Sequence, residues 1–276
     1  MMYRTLLSIL LMFMWTIHII AQPDDVLMRE QVEKYLMEAR HGEAEAQYNL
    51  GLCYIYGNGV SQSYKEAAKW LEKAAKQGHI EAQYNLGVCY LKGQGVDQDF
   101  AEAVKWFALA AEKGEVDAMY NLATSYMNGE GVAQDIEKGM QLYELASAKG
   151  HVKSQRLLGD CYFFGMGIPK DYAKAVEWYT LAAENGDADT QYELGFMYYI
   201  GNGVEKCDEM AVFWFKKSAE QGNAFAQYLL GNCLENGQGI VQDLDEAMLW
   251  YEKAAAQGHE GAMEKIEGKE TKKREK

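Results

Sequence analysis

Along "EAQYNLGLCYIYGNGV", which starts at Glu45, the apolar residues Ala46, Leu50 and Tyr54 recur at spacings of four. That spacing lines one face of a helix and predicts helix A over about 44–56. The G-x-G-V run then ends it, since glycine adopts positive φ cheaply and commonly follows a helix C-terminus. A second apolar stripe, Ala67, Trp70, Leu71, Ala74 and Ala75, predicts helix B up to the next glycine. Ser63 stands just before it, where a side-chain oxygen can accept from free backbone N–H groups.

The same pair of helices is spelled repeatedly. "EAQYNLGVCYLKGQGV" begins at Glu81, and Gly42, Gly78, Gly114, Gly150, Gly186, Gly222 and Gly258 fall at intervals of 36 without insertion or deletion. A fixed period of this length signals a stacked architecture. Six units follow: 43–78, 79–114, 115–150, 151–186, 187–222 and 223–258. Asp99, Asp135, Asp171 and Asp243 occupy the position of Ser63, and Glu66, Glu102 and Glu246 lie three residues on, as in a capping box. Trp106, Trp178, Trp214 and Trp250 repeat Trp70.

The string "EAQYNLGLCYIYGNGVSQSYKEAAKWLEKAAKQG" resembles the Sel1-like repeat, a helix-hairpin relative of the tetratricopeptide repeat, in its A-x-x-x-L-G-x-x-Y, G-x-G-V, Ala–Trp and A-A-x-x-G elements. The resemblance covers about 43–258 and implies an all-α, right-handed α-solenoid with helix A on the concave side and an adaptor role in protein complexes. Residues 22–42 read as an N-terminal capping helix. Residues 259–276 begin a further helix A and are expected to run into a disordered charged tail.

Some units depart from the pattern. The third has Ala123 for the helix A glycine, Leu142 for tryptophan and Gly139 for the helix B alanine, and the fourth has Arg156 for tyrosine. A mid-helix glycine costs about 1 kcal/mol relative to alanine, so the middle of the array is expected to be its softest part. In the fifth unit Cys207 occupies the cap position, and Asp208 is expected to cap that helix instead.

Ahead of the repeats, Arg4 precedes the uncharged apolar run Thr5–Ala21, and polar "QPDD" follows. This predicts a signal peptide over 1–21, cleaved after Ala21, and a periplasmic or secreted protein. An uncleaved membrane anchor is the alternative. No later stretch is apolar enough to cross a membrane, so no membrane association is expected after cleavage.

The net charge of −14 disfavours phosphate backbones, and with them nucleic acid. Cys53, Cys89, Cys161 and Cys233 share one helix A position, about one repeat apart and too distant for the Cα separation a disulfide needs. They read as small packed residues, and Cys207 as the most reactive thiol. Cysteine-rich Sel1-like proteins, some linked to β-lactam binding, carry two cysteines per unit; no unit of this chain has more than one. His79, His151 and His259 are equivalent positions two and three repeats apart, so they cannot share a metal ion. No nucleophile and base stand together, and no cofactor motif is present. The chain therefore reads as non-catalytic, with no cofactor.

Positions that differ between units report what the surface meets. The helix A positions equivalent to 45, 49, 52 and 56 share a face opposite the core stripe. Its first three units are mostly polar, with Asn49, Asn85 and Asn121 in series; its last three carry Leu157, Phe164, Phe196, Ile200, Phe225 and Leu229. An apolar, aromatic surface marks a partner site. The expectation is a monomeric scaffold whose groove binds a protein or peptide, the asparagines meeting its backbone and the aromatics its side chains. Alternatives are an envelope hydrolase or β-lactam-binding protein, or a self-associating structural protein.

Overall fold

The computed structural model describes residues 23–274. The expected signal peptide, 1–21, lies outside the described residues. Among those described there are fourteen helices and no strand. The chain divides into two compact units between Asp135 and Ile136, inside the third repeat.

The first unit holds α1 (Pro23–Arg40), α2 (Ala44–Tyr56), α3 (Tyr64–Lys76), α4 (Ile80–Lys92), α5 (Phe100–Glu112) and α6 (Val116–Asn128). The second holds α7 (Ile136–Ala148), α8 (Val152–Phe164), α9 (Tyr172–Glu184), α10 (Ala188–Ile200), α11 (Asp208–Glu220), α12 (Ala224–Asn236), α13 (Leu244–Ala256) and α14 (Glu260–Arg274). Helices α2, α4, α6, α8, α10 and α12 are the A helices, and α3, α5, α7, α9, α11 and α13 the B helices. α7 keeps the standard length of 13 residues despite Gly139.

Within a hairpin the two helices close on a glycine. Gly195 of α10 lies under the Phe215 ring of α11, and a Cβ there would stand 2.7 Å from Phe215 Cδ1. The same close approach joins Gly87 to Phe107 and Gly231 to Tyr251. Between hairpins the second glycine of the turn settles on the preceding B helix. A Cβ on Gly95, at φ +78°, would meet Tyr64 O at 2.0 Å, so only glycine serves there.

Buried polar residues stitch successive hairpins. Gln47 Nε2 donates to Ala39 O at 3.1 Å, and Gln47 Oε1 accepts from Gln77 Nε2 at 2.8 Å. Gln191 repeats this with Ala183 O at 2.9 Å and Gln221 at 2.8 Å, and Gln227 with Ala219 O at 3.1 Å and Gln257 at 2.9 Å. Each glutamine ties its own hairpin to the helix before it through a bond made away from water, where leaving it unmade is expensive.

The helix starts correct two expectations. Ser63, Asp99, Asp171 and Asp243 do cap their B helices through the side chain. The reciprocal half of the capping box is absent, because the Ser63, Asp99 and Asp243 N–H groups donate to Tyr54, Tyr90 and Leu234 carbonyls of the preceding A helix. Glu66 and Glu102 pair instead with Lys69 and Lys105, and Glu246 accepts from Trp250 Nε1. In the fifth repeat Cys207 remains the N-cap with no side-chain cap bond, and Asp208 is the first helical residue. Its carboxylate accepts from Gln238 Nε2 at 3.1 Å.

A last helix packs on the final hairpin through its apolar and basic residues. α14 runs to Arg274. Lys265 pairs with Glu235 and lies over the Tyr251 ring, and Lys269 Nζ donates to Leu244 O at 3.2 Å. Ala262 and Ile266 supply its apolar contact with the core. The lysines are thus docking residues for the helix.

Candidate functional site

The asparagines belong to the first unit and the apolar residues to the second, and each set stands on its own. Asn49 Nδ2 donates to Glu45 Oε1 at 3.1 Å, and Asn85 Nδ2 to Glu81 O at 2.9 Å. Asn85 and Asn121 also bond the phenols of Tyr48 and Tyr84 in the preceding repeats. These side chains are half-buried and engaged with their own fold.

The second unit presents a different surface. Phe225, at the start of α12, is 58% exposed; Phe164 and Ile200, at the ends of α8 and α10, are 59% and 50% exposed. Leu157, Phe196 and Leu229 are half-buried, and Phe196 and Leu229 also pack on the core below. Helix periodicity places these residues on one side of their helices because the opposite side carries Leu158, Leu194 and Leu230, all buried.

Tyr192 joins the aromatic groups. Its ring is 5.8 Å from that of Phe225 and 6.3 Å from that of Phe196, and Phe196 continues to Tyr199 at 6.4 Å. Phe225 meets His259 edge-on at 5.2 Å, and His259 stacks on Tyr228 at 4.4 Å. Phe164 contacts Phe163 at 4.9 Å, which leads to Tyr172 at 5.3 Å. Such ring pairs add a modest stabilisation to the area their members bury.

Carboxylates lie among these apolar groups. Asp160 follows Leu157 by three residues on α8, and Glu193 precedes Phe196 by three on α10. Tyr179 OH donates to Asp160 Oδ1 at 2.7 Å. Burial raises the pKa of both carboxyls above the ordinary range, and the charge of Asp160 adds to the rise at Glu193. Arg156, which replaces the usual tyrosine, donates to Asp189 Oδ2 at 3.1 Å, and Asn223 Nδ2 donates to Asp189 Oδ1 at 3.1 Å. Arg156 and Asp189 stand at the positions of Tyr48 and Glu81, whereas in the first unit Tyr48 stacks on His79, whose position Asp187 takes here.

His79, His151 and His259 have a shared local task. Each Nδ1 accepts from the N–H three residues on, capping an A helix. Among the described residues no group of three or more His, Cys, Asp or Glu side chains could hold a metal ion. All five cysteines are free. Burial pushes the Cys89, Cys161 and Cys233 thiols up to about 11. No helix among the described residues is long and apolar enough to cross a membrane.

The Sel1 repeat family model matches residues 44–79, 80–115, 116–151, 152–187, 188–223 and 224–259. No curated protein matches the chain. Among solved structures, a protective antigen with the SLR fold, present in uropathogenic Escherichia coli strains, is 38% identical with a TM-score of 0.80. The match covers 84% of this chain and 50% of the antigen, so this chain spans about half the antigen's length. A Sel1 repeat protein from Oxalobacter formigenes is 31% identical with a TM-score of 0.65, over 84% of this chain and 97% of that one. Yeast Tom70, 15% identical with a TM-score of 0.50 over 91% of this chain and 58% of its own, shares the helical-repeat fold alone. Sel1 repeats commonly mediate protein–protein interaction.

Proposed function

The chain belongs to the Sel1 repeat family, and on that premise we propose that it is a non-catalytic scaffold holding a protein or peptide on the exposed A-helix face of its second unit. The observation that carries this reading is the exposure of Phe225, Phe164 and Ile200 on one helical side, with Phe225 continuous through Tyr192 to Phe196. Large rigid aromatic surface is the kind that dominates binding energy at interfaces, because it loses little conformational freedom when it is covered. At the equivalent positions the first unit carries one aromatic residue, Tyr56, and its asparagines bond their own helices and neighbouring tyrosines.

The apolar run Thr5–Ala21 supports export, with the scaffold acting in the periplasm or medium. N-terminal sequencing of protein recovered from its host tests this: a start at Gln22 supports it, and a start at Met1 in the cytosol overturns it.

Affinity capture tests the binding surface. Phe196 packs on the core, so the informative variant is Phe225→Ala with Ile200→Ala, both exposed. A partner held by the parent chain and lost from a variant of unchanged helicity supports the reading. Equal capture by both, or none by either, overturns it.

A further inference from the structure

The apolar surface of the second unit has a distinctive electrostatic companion, and the two together specify an occupant. On α8 and α10 the residues Leu157, Asp160, Glu193 and Phe196 occupy the same exposed side, so carboxylates and apolar groups alternate there. Asp160 uses one oxygen to accept from Tyr179. Among the described residues no hydrogen-bond donor reaches the Glu193 carboxylate, although it is half-buried.

The nearby charges are unequal. Asp160, Asp187, Asp189 and Glu193 share the single guanidinium of Arg156, and that group is committed to Asp189. Lys153, one turn before Leu157, is exposed at the edge. The surface therefore carries excess negative charge where water is partly excluded, a setting in which a cation gains more than it would in bulk solvent. Burial already raises both carboxyls, so an arriving cation would relieve a charge the fold tolerates poorly.

We infer that this surface receives a protein segment with a lysine or arginine beside an apolar side chain, its cation seated at Asp160 and Glu193 and its apolar group on Phe196 and Phe225. This rests on the binding surface proposed above and adds the chemistry of its partner. Apolar contact supplies the anchor, and the carboxylates select among anchors by charge.

The test selects phage-displayed random dodecapeptides on the full chain. Selected peptides are then synthesised and titrated against the parent, Glu193→Gln, Asp160→Asn and Phe225→Ala. The expected result is enrichment of lysine or arginine next to aromatic or aliphatic residues. Glu193→Gln should weaken these peptides about tenfold or more, with the parent's affinity falling as salt is raised. Peptides that depend on Phe225 but lack basic residues, or bind Glu193→Gln equally well, overturn this inference and leave the binding surface standing. Selection of nothing, or of peptides indifferent to Phe225→Ala, overturns both. Concentration-dependent dimers lost in Glu193→Gln would make the occupant a second copy of the chain and overturn the assignment to a different partner. Thermal melts of each variant separate lost binding from lost folding.

Discussion

Gln47 and Gln77, thirty residues apart, are joined side chain to side chain at 2.8 Å, whereas the equivalent oxygen of Gln83 is buried with no donor. The difference traces to one position. Gln77, Gln221 and Gln257 supply the donor in their repeats, and Asn185 does so for Gln155 at 3.1 Å. Lys113 stands at that position for Gln83. Lys113→Gln should therefore stabilise the protein by about 1 kcal/mol, read as a higher midpoint in urea, because a buried acceptor gains its missing partner. Lys113→Met, which supplies no donor, should give no such gain.

Close packing in the hairpins makes a second prediction. Gly195→Ala places a methyl 2.7 Å from Phe215 Cδ1 and should destabilise the protein by about 1–3 kcal/mol. The double variant Gly195→Ala/Phe215→Leu should recover part of the loss in the same melt, since the smaller side chain frees the contested space.

The carboxyls on the candidate surface predict an unusual pH dependence. Asp160 and Glu193 have raised pKa values, from burial first. A carboxyl raised in the folded state binds protons more readily there than in the unfolded chain, so stability falls as pH rises from the ordinary value, about 4, through the folded value. Glu193→Gln should consequently stabilise the protein at pH 7 and lose that advantage below about pH 4. A gain in stability coupled to a loss in peptide binding would mark a functional group retained against the preference of the fold.

Glu235 behaves in the opposite sense. Burial alone would raise its pKa, but hydrogen bonds from Lys265 and Tyr251 outweigh it and hold the carboxyl below the ordinary range. Its contribution is complete above the ordinary value and is lost as pH falls through the lower folded value. Amide protection in α14, taken relative to the intrinsic exchange rate at each pH, should fall selectively on acidification. Lys265→Met should show faster exchange already at neutral pH and a weaker response to acid.

Thiol chemistry can be checked with a single reagent. An aromatic disulfide added to the native protein near pH 8 should react slowly with Cys89, Cys161 and Cys233, which are buried and raised to about 11. Cys207, half-exposed and beside Glu209, should react first, and urea should release all five.

The period of 36, the two helices of each repeat and the breaks at Gly57 and its equivalents were determined by the sequence alone, because each depends on residues a few positions apart: a stripe at spacings of three and four, a cap and a glycine that accepts positive φ. The same local signals brought out the exposed positions of Phe164, Ile200 and Phe225. Other features required the tertiary structure. The capping box at Ser63 and Glu66 looked complete in sequence, yet the Ser63 N–H had a partner in Tyr54 O, supplied by the neighbouring helix. Gln47 recurs in five of the six units, but its role needs the Ala39 carbonyl eight residues before it and the Gln77 amide thirty residues after it. Arg156 departs from the repeat pattern in sequence, and its partner Asp189 lies one repeat away; the burial of Glu193 beside Asp160 likewise depends on the stacking of two repeats. Helix formation is governed by near neighbours along the chain, whereas hydrogen-bond partners and local dielectric are governed by which helices stack together, and packing of residues 30 or more positions apart decides that.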